Sequence, residues 1–209
     1  MVAAAQNHAD TLWAMIRPAV EAATVPQIAC KAGCRWCCHQ QVALLPAEAI
    51  AIARYLERLV SAERDAMAAR IATLDDKTRG LSALERARLK EPCAFMIEGA
   101  CSIYPIRPLR CRGLHSRDSA ACSQAMADPD AAAASRAART DSGPFVVESA
   151  KIMNAALKGL ARACRDLGFA HETVELTTAV QIALTVPDAE TKILAGAPLF
   201  EPAALSSAP

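Results

Sequence analysis

The chain has 209 residues and a mass of 22.1 kDa, which suits a single domain (1–209) with its own hydrophobic core. Its formal net charge is only +1, so no overall field directs it to nucleic acid or anionic lipid, and nucleic acid is not an expected partner. No uncharged apolar run reaches the roughly 18 residues of a transmembrane helix, and His8, Asp10 and Arg17 interrupt any signal-peptide core. We therefore expect a cytoplasmic protein that does not enter the membrane.

Alanine dominates the hydrophobic content of the chain. There are 48 alanines, while aromatic residues make up 4% of the sequence. Alanine has the highest helix propensity, whereas a β-sandwich needs β-branched and aromatic residues. The composition therefore predicts an all-α protein.

Apolar residues at helical spacing predict the individual elements. The first helix covers 10–23, ends at Thr24-Val25-Pro26 and carries one apolar face made of Leu12, Trp13, Ile16 and Val20. Further helices are predicted over 46–60, 62–74, 81–90, 145–167 and 171–185, with an extended piece at 40–45 and a linker or weak helix at 128–140. Residues 145–187 thus form the C-terminal helices. The Ala, Pro and Ser composition of 188–209 predicts a poorly ordered tail.

Four of the nine cysteines lie within one short loop, Cys30-Lys-Ala-Gly-Cys34-Arg-Trp-Cys37-Cys38-His39. Spacings of three and two residues let such a loop wrap several thiolates around one ion or cluster, and Gly33 supplies the backbone freedom for it. A second segment adds Cys93, Cys101, Cys111 and Cys122. A metal-binding core over about 26–125 therefore holds two groups of four thiols, which could complete one shared site or fill two.

Inert buried cysteines and a disulfide framework are the alternatives. Inert cysteines would be scattered, and disulfides are rare in the reducing cytoplasm. Cys164 differs from the other eight because it shares a helical face with Leu160 and Leu167, and we expect it in the core. His39 and His115 flank the cysteine segments and are candidates for ligands or for polar neighbours of the ligands.

Cations accumulate around the cysteines where acids are missing. No acid lies between Glu21 and Glu48, and Lys31 and Arg35 fall inside the first loop. None lies between Glu98 and Asp118, a stretch that carries Arg107, Arg110, Arg112 and Arg117. Four thiolates leave a net charge of about −2 on Zn²⁺ or on a [4Fe–4S]²⁺ cluster, which such cations offset. A basic patch for a nucleic-acid or protein partner is the other interpretation.

The prolines that precede Cys111 predict its position in a helix. Pro105 and Pro108 discourage a helix before Pro108, which itself suits the first helical position. Cys111 would then lie in the first helical turn, where free backbone N–H groups stabilise a thiolate.

Three motifs of the cysteine segments are similar to those of a known family. They are Cys30-x3-Cys34-x2-Cys37-Cys38, Cys93-Ala-Phe95 and Cys101-Ser-Ile103-Tyr104-Pro-Ile-Arg107-Pro108-Leu-Arg-Cys111-Arg112. In this order they resemble the cysteine-cluster (CxxxCxxCC) family of zinc- or iron-chelating domains, over roughly residues 30–122. The family includes flagellin lysine methylases, while most members have no assigned reaction. The resemblance implies a metal site and leaves the reaction and any small-molecule substrate open.

Cys30-x3-Cys34-x-Trp36-Cys37 also fits the loop of radical S-adenosylmethionine enzymes, in which three cysteines hold a [4Fe–4S] cluster. That chemistry normally sits on repeated strand–helix units, whose pattern is missing from this sequence. The vicinal Cys38 is also foreign to that loop. The sequence therefore disfavours a radical enzyme.

Together these features predict a single helical domain in which two irregular cysteine-rich loops converge on a metal site. Structural zinc sites usually show two separated CxxC pairs, so we favour an iron–sulfur cluster, [4Fe–4S], over Zn²⁺. The expected function is a structural, redox or sensing module with a protein partner. The alternative is a metal-dependent protein-modifying enzyme similar to lysine methylases. The expected ligands are Cys30, Cys34, Cys37, Cys38, Cys93, Cys101, Cys111 and Cys122, with Arg107, Tyr104 and Arg112 around them.

Overall fold

A computed structural model of the chain describes residues 1–23, 26–31, 33–141 and 143–205, and helices dominate it. The prediction of an all-α protein is confirmed. The helices are α1 Val2–Ala22, α2 Pro46–Glu57, α3 Ser61–Thr78, α4 Ala83–Arg88, α5 Leu109–Gly113, α6 Ser119–Ala127, α7 Pro129–Ala138, α8 Val147–Asp166, α9 Leu176–Thr185 and α10 Ala189–Leu194.

Short strands and 3-10 turns connect the helices. β1 Ala43–Leu44 pairs antiparallel with β4 Val174–Glu175, and β2 Met96–Ile97 pairs antiparallel with β3 Ala100–Cys101. 3-10 turns form at Trp36–His39, Tyr104–Ile106 and Glu201–Ala203. No helix within the described ranges is long and apolar enough to cross a membrane.

Two hydrophobic clusters form the core. In the first, α2, α3 and α9 pack together around side chains that include Leu44, Ile52, Ile71 and Val180. In the second, α8 packs against both α1 and α5, and the buried side chains include Trp13, Leu109, Met153 and Cys164. Cys164 is fully buried, as its helical position predicts.

Glu48 joins the two halves of this core. It occupies the third position of α2, and its carboxylate accepts the Leu45 N–H at 3.1 Å and the Leu109 N–H at 2.9 Å. The first bond caps α2 and the second holds the start of α5. Since α5 carries Cys111, this buried carboxylate positions part of the second cysteine segment.

Several elements differ from their predicted bounds. Helix α1 begins at Val2 rather than at 10, because Gln6 and Ala9 continue the buried face that Trp13 belongs to. The helix ends at Ala22, one residue before the predicted end, while Thr24 and Val25 of the predicted stop lie outside the described residues. The linker or weak helix expected at 128–140 is the helix α7.

Two regions are more regular than the sequence predicts. Residues 119–122, which end the second cysteine segment and are expected to be irregular with it, belong to α6, because the Asp118 carboxylate accepts the N–H groups of Ala120 and Ala121 at 2.8 and 2.9 Å. The poorly ordered tail is replaced over 188–205 by α10 and a 3-10 turn, because Ile193, Phe200 and Ala203 bury against the first cluster. Residues 206–209 lie outside the described part of the chain.

Candidate metal centre

The two cysteine segments touch each other through the backbone at two places. The Cys93 N–H donates to the Cys38 carbonyl at 2.7 Å, and the Ala29 N–H donates to the Ser116 carbonyl at 2.8 Å. A third link involves a thiol directly, because the Ser116 N–H donates to the Cys30 sulfur at 3.2 Å. Residues far apart in the chain thus lie beside each other in the fold.

The thiols also influence one another electrostatically. Burial is the largest cause that raises the pKa of Cys111, and the charges of Cys93, Cys37 and Cys101 raise it further. Burial likewise raises the pKa of Cys30, with Cys34, Cys37 and Cys122 adding to the effect. A hydrogen bond with Cys38, followed by burial, raises the pKa of Cys37. Crowded thiols of this kind lose their protons together only when a cation offsets the charge of the thiolates.

Backbone amides point at the sulfurs of three cysteines. Burial raises the pKa of Cys93 to about 11, while a hydrogen bond from Phe95, two residues further on, opposes that shift. Cys101 repeats the pattern, because burial raises its pKa and a backbone hydrogen bond from Ile103 lowers it. Together with the Ser116 bond to Cys30, these N–H groups satisfy sulfur lone pairs as they do around bound metals.

Arg107 is the cation most closely tied to the thiols. Its positive charge lowers the pKa values of Cys37, Cys101 and Cys111, against the larger effects of hydrogen bonding and burial that raise them. The guanidinium carbon lies 3.8 Å from the ring centroid of Tyr104, which is 59% exposed. Among the residues that the structure describes, its buried Nε has no hydrogen-bond partner. Arg107 therefore keeps one N–H donor that could be used when the thiols bind a metal.

Arg112 uses its guanidinium to join α1 to the second cysteine segment. It is 6% exposed, forms an ion pair with Asp10 and donates from Nη2 to the Gln6 side chain at 3.3 Å. It also donates from Nε to the Arg107 carbonyl at 2.8 Å, and Gln6 donates to the same carbonyl at 3.2 Å. These contacts hold the backbone of Arg107 in place.

Two histidines border the thiols with unused ring nitrogens. The buried Nδ1 atoms of His39 and His115 have no hydrogen-bond partner within the described ranges of the chain. The His115 ring lies 5.4 Å from Trp13, centroid to centroid, and burial lowers its pKa. An imidazole nitrogen that carries no proton can accept a hydrogen bond or bind a metal, so both roles expected of these residues stay open.

Cys111 lies in the first turn of its helix, as predicted, but the expected stabilisation of its thiolate is not found. Pro108 caps α5 instead of starting it, and the helix is only five residues long, so its dipole is small. Cys111 lies in the first turn, yet burial outweighs any benefit from nearby N–H groups and raises the pKa.

Sequence reasoning missed Ser116 and Arg86. Ser116 contacts Cys30 and the Ala29 amide, but a single serine carries no signal in a sequence. Arg86 is 3% exposed, donates to the His39 carbonyl at 3.3 Å and lowers the pKa of Cys93. The sequence carries no signal for Arg86 either, because the elements packed against a short helix decide which of its sides is buried.

A cavity of about 340 Å³ lies beside Cys34. Lys31, Arg35, Trp36 and Ser119 also line it, and the Arg35 guanidinium carbon is 5.9 Å from the Trp36 ring centroid. Neither Lys31 nor Arg35 joins a salt bridge within the part of the chain that the structure describes. The cavity is therefore a basic opening onto one of the thiols.

All nine cysteines are free thiols. Within the described residues, no group of three or more His, Cys, Asp or Glu side chains is arranged to hold a metal ion. The donor chemistry nevertheless fits zinc or iron, because soft thiolates select these metals and because amides, arginines and unused histidine nitrogens surround them.

Comparison with known proteins gives one match. Residues 29–136, just over half of the chain, match the CxxCxxCC family described as "Putative zinc- or iron-chelating domain". None of the curated proteins compared with the chain matches it, and neither does any solved structure. The matched range contains both cysteine segments and excludes Cys164. The chain belongs to this family of zinc- or iron-chelating cysteine-cluster domains.

Proposed function

We propose that the two groups of four cysteines supply the thiolates for iron–sulfur binding of the [4Fe–4S] type, in which each cluster takes four. The observation that carries this proposal is the set of amide hydrogen bonds to Cys30, Cys93 and Cys101 beside Arg107, whose buried Nε has no hydrogen-bond partner in the described part of the chain. Hydrogen bonds to sulfur and nearby charge are the means by which proteins set the potential of such clusters. When bound, a cluster supplies one-electron transfer, and the protein would serve as a redox, sensing or structural module.

The arrangement of the ligands favours iron over zinc. Structural zinc sites usually use two separated CxxC pairs, whereas Cys34 and Cys37 are the one pair with that spacing here. The adjacent Cys37 and Cys38, whose side chains hydrogen bond, suit a centre with several metal atoms. Zinc is the competing outcome of the experiment below.

A redox or sensing module must exchange electrons or signals with another molecule. The exposed Lys31 and the exposed Arg35 at the cavity beside Cys34 favour a protein partner with an acidic surface. A cytoplasmic location belongs to the same proposal, because a reducing compartment keeps eight thiols available for metal.

Anaerobic purification followed by metal analysis and absorption spectroscopy tests the proposal. We expect iron and sulfide together with the broad visible absorption of an iron–sulfur protein. Cys37→Ser should lose metal, whereas the matched control Cys164→Ser should keep it and lose about 1–3 kcal/mol of stability through its buried hydroxyl. A colourless protein with stoichiometric zinc would exclude the cluster, and a metal-free protein would overturn metal binding altogether.

The cavity beside Cys34 favours a second candidate, a metal-dependent protein-modifying enzyme similar to lysine methylases. A catalytic centre needs an open coordination position, whereas a structural centre is closed. Adding cyanide to the reduced, metal-loaded protein distinguishes the two, because cyanide binds only to an open iron position. A changed electron paramagnetic resonance spectrum would support the enzyme, and an unchanged spectrum would support the closed module.

A further inference from the structure

We propose that Arg86 is a positioning residue for the cysteine site and that its guanidinium, together with the buried carboxylate of Glu175, holds the end of the first cysteine loop against Cys93. The place where the Cys93 N–H meets the Cys38 carbonyl is called the Cys38–Cys93 junction below. Because both cysteines belong to the expected ligands, the meaning of this role for a metal site rests on the proposed function.

Two successive carbonyl groups at the end of the Trp36–His39 turn have partners from far along the chain. The Cys38 carbonyl accepts the Cys93 N–H at 2.7 Å, and the His39 carbonyl accepts the Arg86 guanidinium at 3.3 Å. Hydrogen bonds to two adjacent carbonyls restrict rotation of the backbone between them. They therefore fix the end of the first loop relative to Cys93.

Helix α4, which carries Arg86, is itself attached to the chain that leaves the first loop. It is six residues long and depends on its cap, in which the Ser82 hydroxyl accepts the Glu85 N–H at 3.3 Å and the Glu85 carboxylate accepts the Ser82 N–H at 2.8 Å. The carbonyl just before this cap, that of Leu81, accepts the Gln41 side chain at 2.9 Å. Arg86 thus extends from a helix that is already fixed beside the loop.

Glu175 supplies the negative charge that a buried arginine needs. Both side chains are buried, and strand β1, shortly after His39, pairs Ala43 with Glu175 of β4. Burial lowers the pKa of Arg86, and the charge of Glu175 is the largest effect that opposes this shift. A buried charge of this kind is tolerated when an opposite charge accompanies it, so Glu175 keeps the guanidinium in place.

Glu175 is in turn fixed by two helices of the core. Its carboxylate caps α9 by accepting the Thr178 N–H at 2.9 Å, and the Thr178 hydroxyl donates to the buried Asp75 of α3 at 2.6 Å. Helices α3 and α9 pack together in the first hydrophobic cluster. The folded core therefore sets the position of Arg86, and the Cys38–Cys93 junction should exist before a metal binds. Removal of the metal should loosen the rest of the two segments and leave this junction closed.

Hydrogen exchange of individual amides, followed by NMR on the full chain after anaerobic removal of metal, tests this role. In the unmodified protein the Cys93 amide should exchange slowly. Arg86→Met removes the donors and the charge at similar length, so this amide should exchange about tenfold faster or more, while amides of α3 and α9 keep their rates. Arg88→Met is the matched control, because Arg88 lies exposed on the same helix and should leave the Cys93 amide unchanged.

Two further variants separate the charge from simple packing. Arg86→Lys keeps the charge and one donor group, so it should restore part of the slow exchange. Glu175→Gln keeps an oxygen that can cap α9 but removes the negative charge, and it should speed exchange at Cys93 as Arg86→Met does. Where Arg86→Met does not fold, judged by circular dichroism, Ser82→Ala replaces it, because loss of the cap loosens α4 and should speed the same amide.

The metal-loaded protein gives a readout that a purely structural role would not change. Per bound iron, the reduction potential of Arg86→Met should fall, because a positive charge beside the junction is lost, and Arg86→Lys should restore most of it. A variant that only weakens the core would bind less iron at an unchanged potential. An unmodified protein without iron would overturn the proposed function, and the exchange rates, which need no metal, would still decide the role of Arg86.

Four results would overturn the role of Arg86. The Cys93 amide of the unmodified metal-free protein could exchange as fast as an unstructured chain, or its rate could be the same in Arg86→Met. Exchange in Arg86→Met could rise equally throughout α3 and α9, which would show a general loss of stability. Finally, Arg86→Lys could exchange as fast as Arg86→Met, which would show that the charge does not hold the junction.

Discussion

Glu48 shows how one buried side chain can connect an ordinary helix cap to the metal-binding segment. It is 1% exposed, and its two carboxylate oxygens accept N–H groups from Leu45 and Leu109. Burial raises the pKa of Glu48, and the two hydrogen bonds only partly oppose that shift. Burial therefore makes the charged form of this carboxylate less favourable. Its hydrogen bond to the Leu109 N–H nevertheless fixes the start of α5.

Replacing Glu48 with Gln should destabilise the protein in a pH-dependent way. Gln has one acceptor oxygen in place of two, so one buried N–H loses its partner at a cost of about 1–3 kcal/mol. Because the folded-state pKa of Glu48 lies above the unfolded one, its contribution is complete below the unfolded pKa and is lost as the pH rises through the folded pKa. The loss of stability should therefore be largest near the ordinary glutamate pKa and smaller at neutral pH.

Urea unfolding of the metal-free protein at several pH values measures this dependence. Glu57→Gln is the matched control, because Glu57 lies on the exposed face of the same helix. A difference between Glu48→Gln and the unmodified protein that grows with pH would contradict the assignment.

Arg107 is expected to tune the centre. Arg107→Ala removes a cation that favours the charged form of three thiols, so the protein should retain less metal and its reduction potential should fall, because reduction adds negative charge. Arg107→Lys keeps the charge and should restore part of the potential.

A redox titration followed by visible absorption, together with metal analysis, measures both effects. Arg110→Ala is the control, since Arg110 is a neighbouring exposed arginine. Unchanged potential and metal content in Arg107→Ala would place this residue in a role away from the thiols.

At the scale of elements, the contact between α5 and α8 decides where Cys111 lies. Gly113 ends α5, and a Cβ at this position would lie 3.0 Å from the Met153 Cβ and 3.3 Å from the Ala150 Cα. Gly113→Ala should therefore push α5 away from α8 and cost about 1–3 kcal/mol. Because α5 carries Cys111, the variant should also retain less metal.

Gly159→Ala provides a matched control within α8. Nothing lies within 4 Å of a Cβ at Gly159, so the substitution should stabilise the helix by about 0.5–1 kcal/mol. Thermal unfolding and metal analysis of both variants check the pair. Equal metal content in the two alanine variants would show that the α5–α8 contact does not position the thiol.

At the scale of the whole molecule, metal binding and folding should be coupled only locally. The cysteine segments have little regular structure, whereas α2, α3, α8 and α9 bury extensive apolar surface of their own. Removing the metal should therefore loosen the segments and leave the helical core folded.

Limited proteolysis before and after anaerobic chelation tests this coupling. New cleavage sites should appear within 28–40 and 92–122, while α8 and α9 stay protected and the helical circular dichroism changes little. Cleavage throughout α8 after chelation would mean that the metal holds the entire fold together.

The sequence by itself determined the helical class, the position of most helices and the set of cysteines with their surrounding cations. These are local properties: alanine content sets helix propensity, apolar spacing marks buried faces, and cysteine spacing in a short loop limits where thiols can lie. Because these signals are local, they do not predict that α1 begins at Val2 or that α6 begins at Ser119. Packing on α8 extends α1, and a single capping Asp118 creates α6.

Only the tertiary structure decided which distant residues meet. Ser116 reaches Cys30, Cys93 reaches Cys38, and Glu48 reaches Leu109, although long stretches of chain separate each pair. Such contacts depend on how whole helices pack, and no spacing rule within a segment encodes that. Burial of Arg86 and of Ile193 has the same origin, because the side of a helix that faces the core is settled by its neighbours.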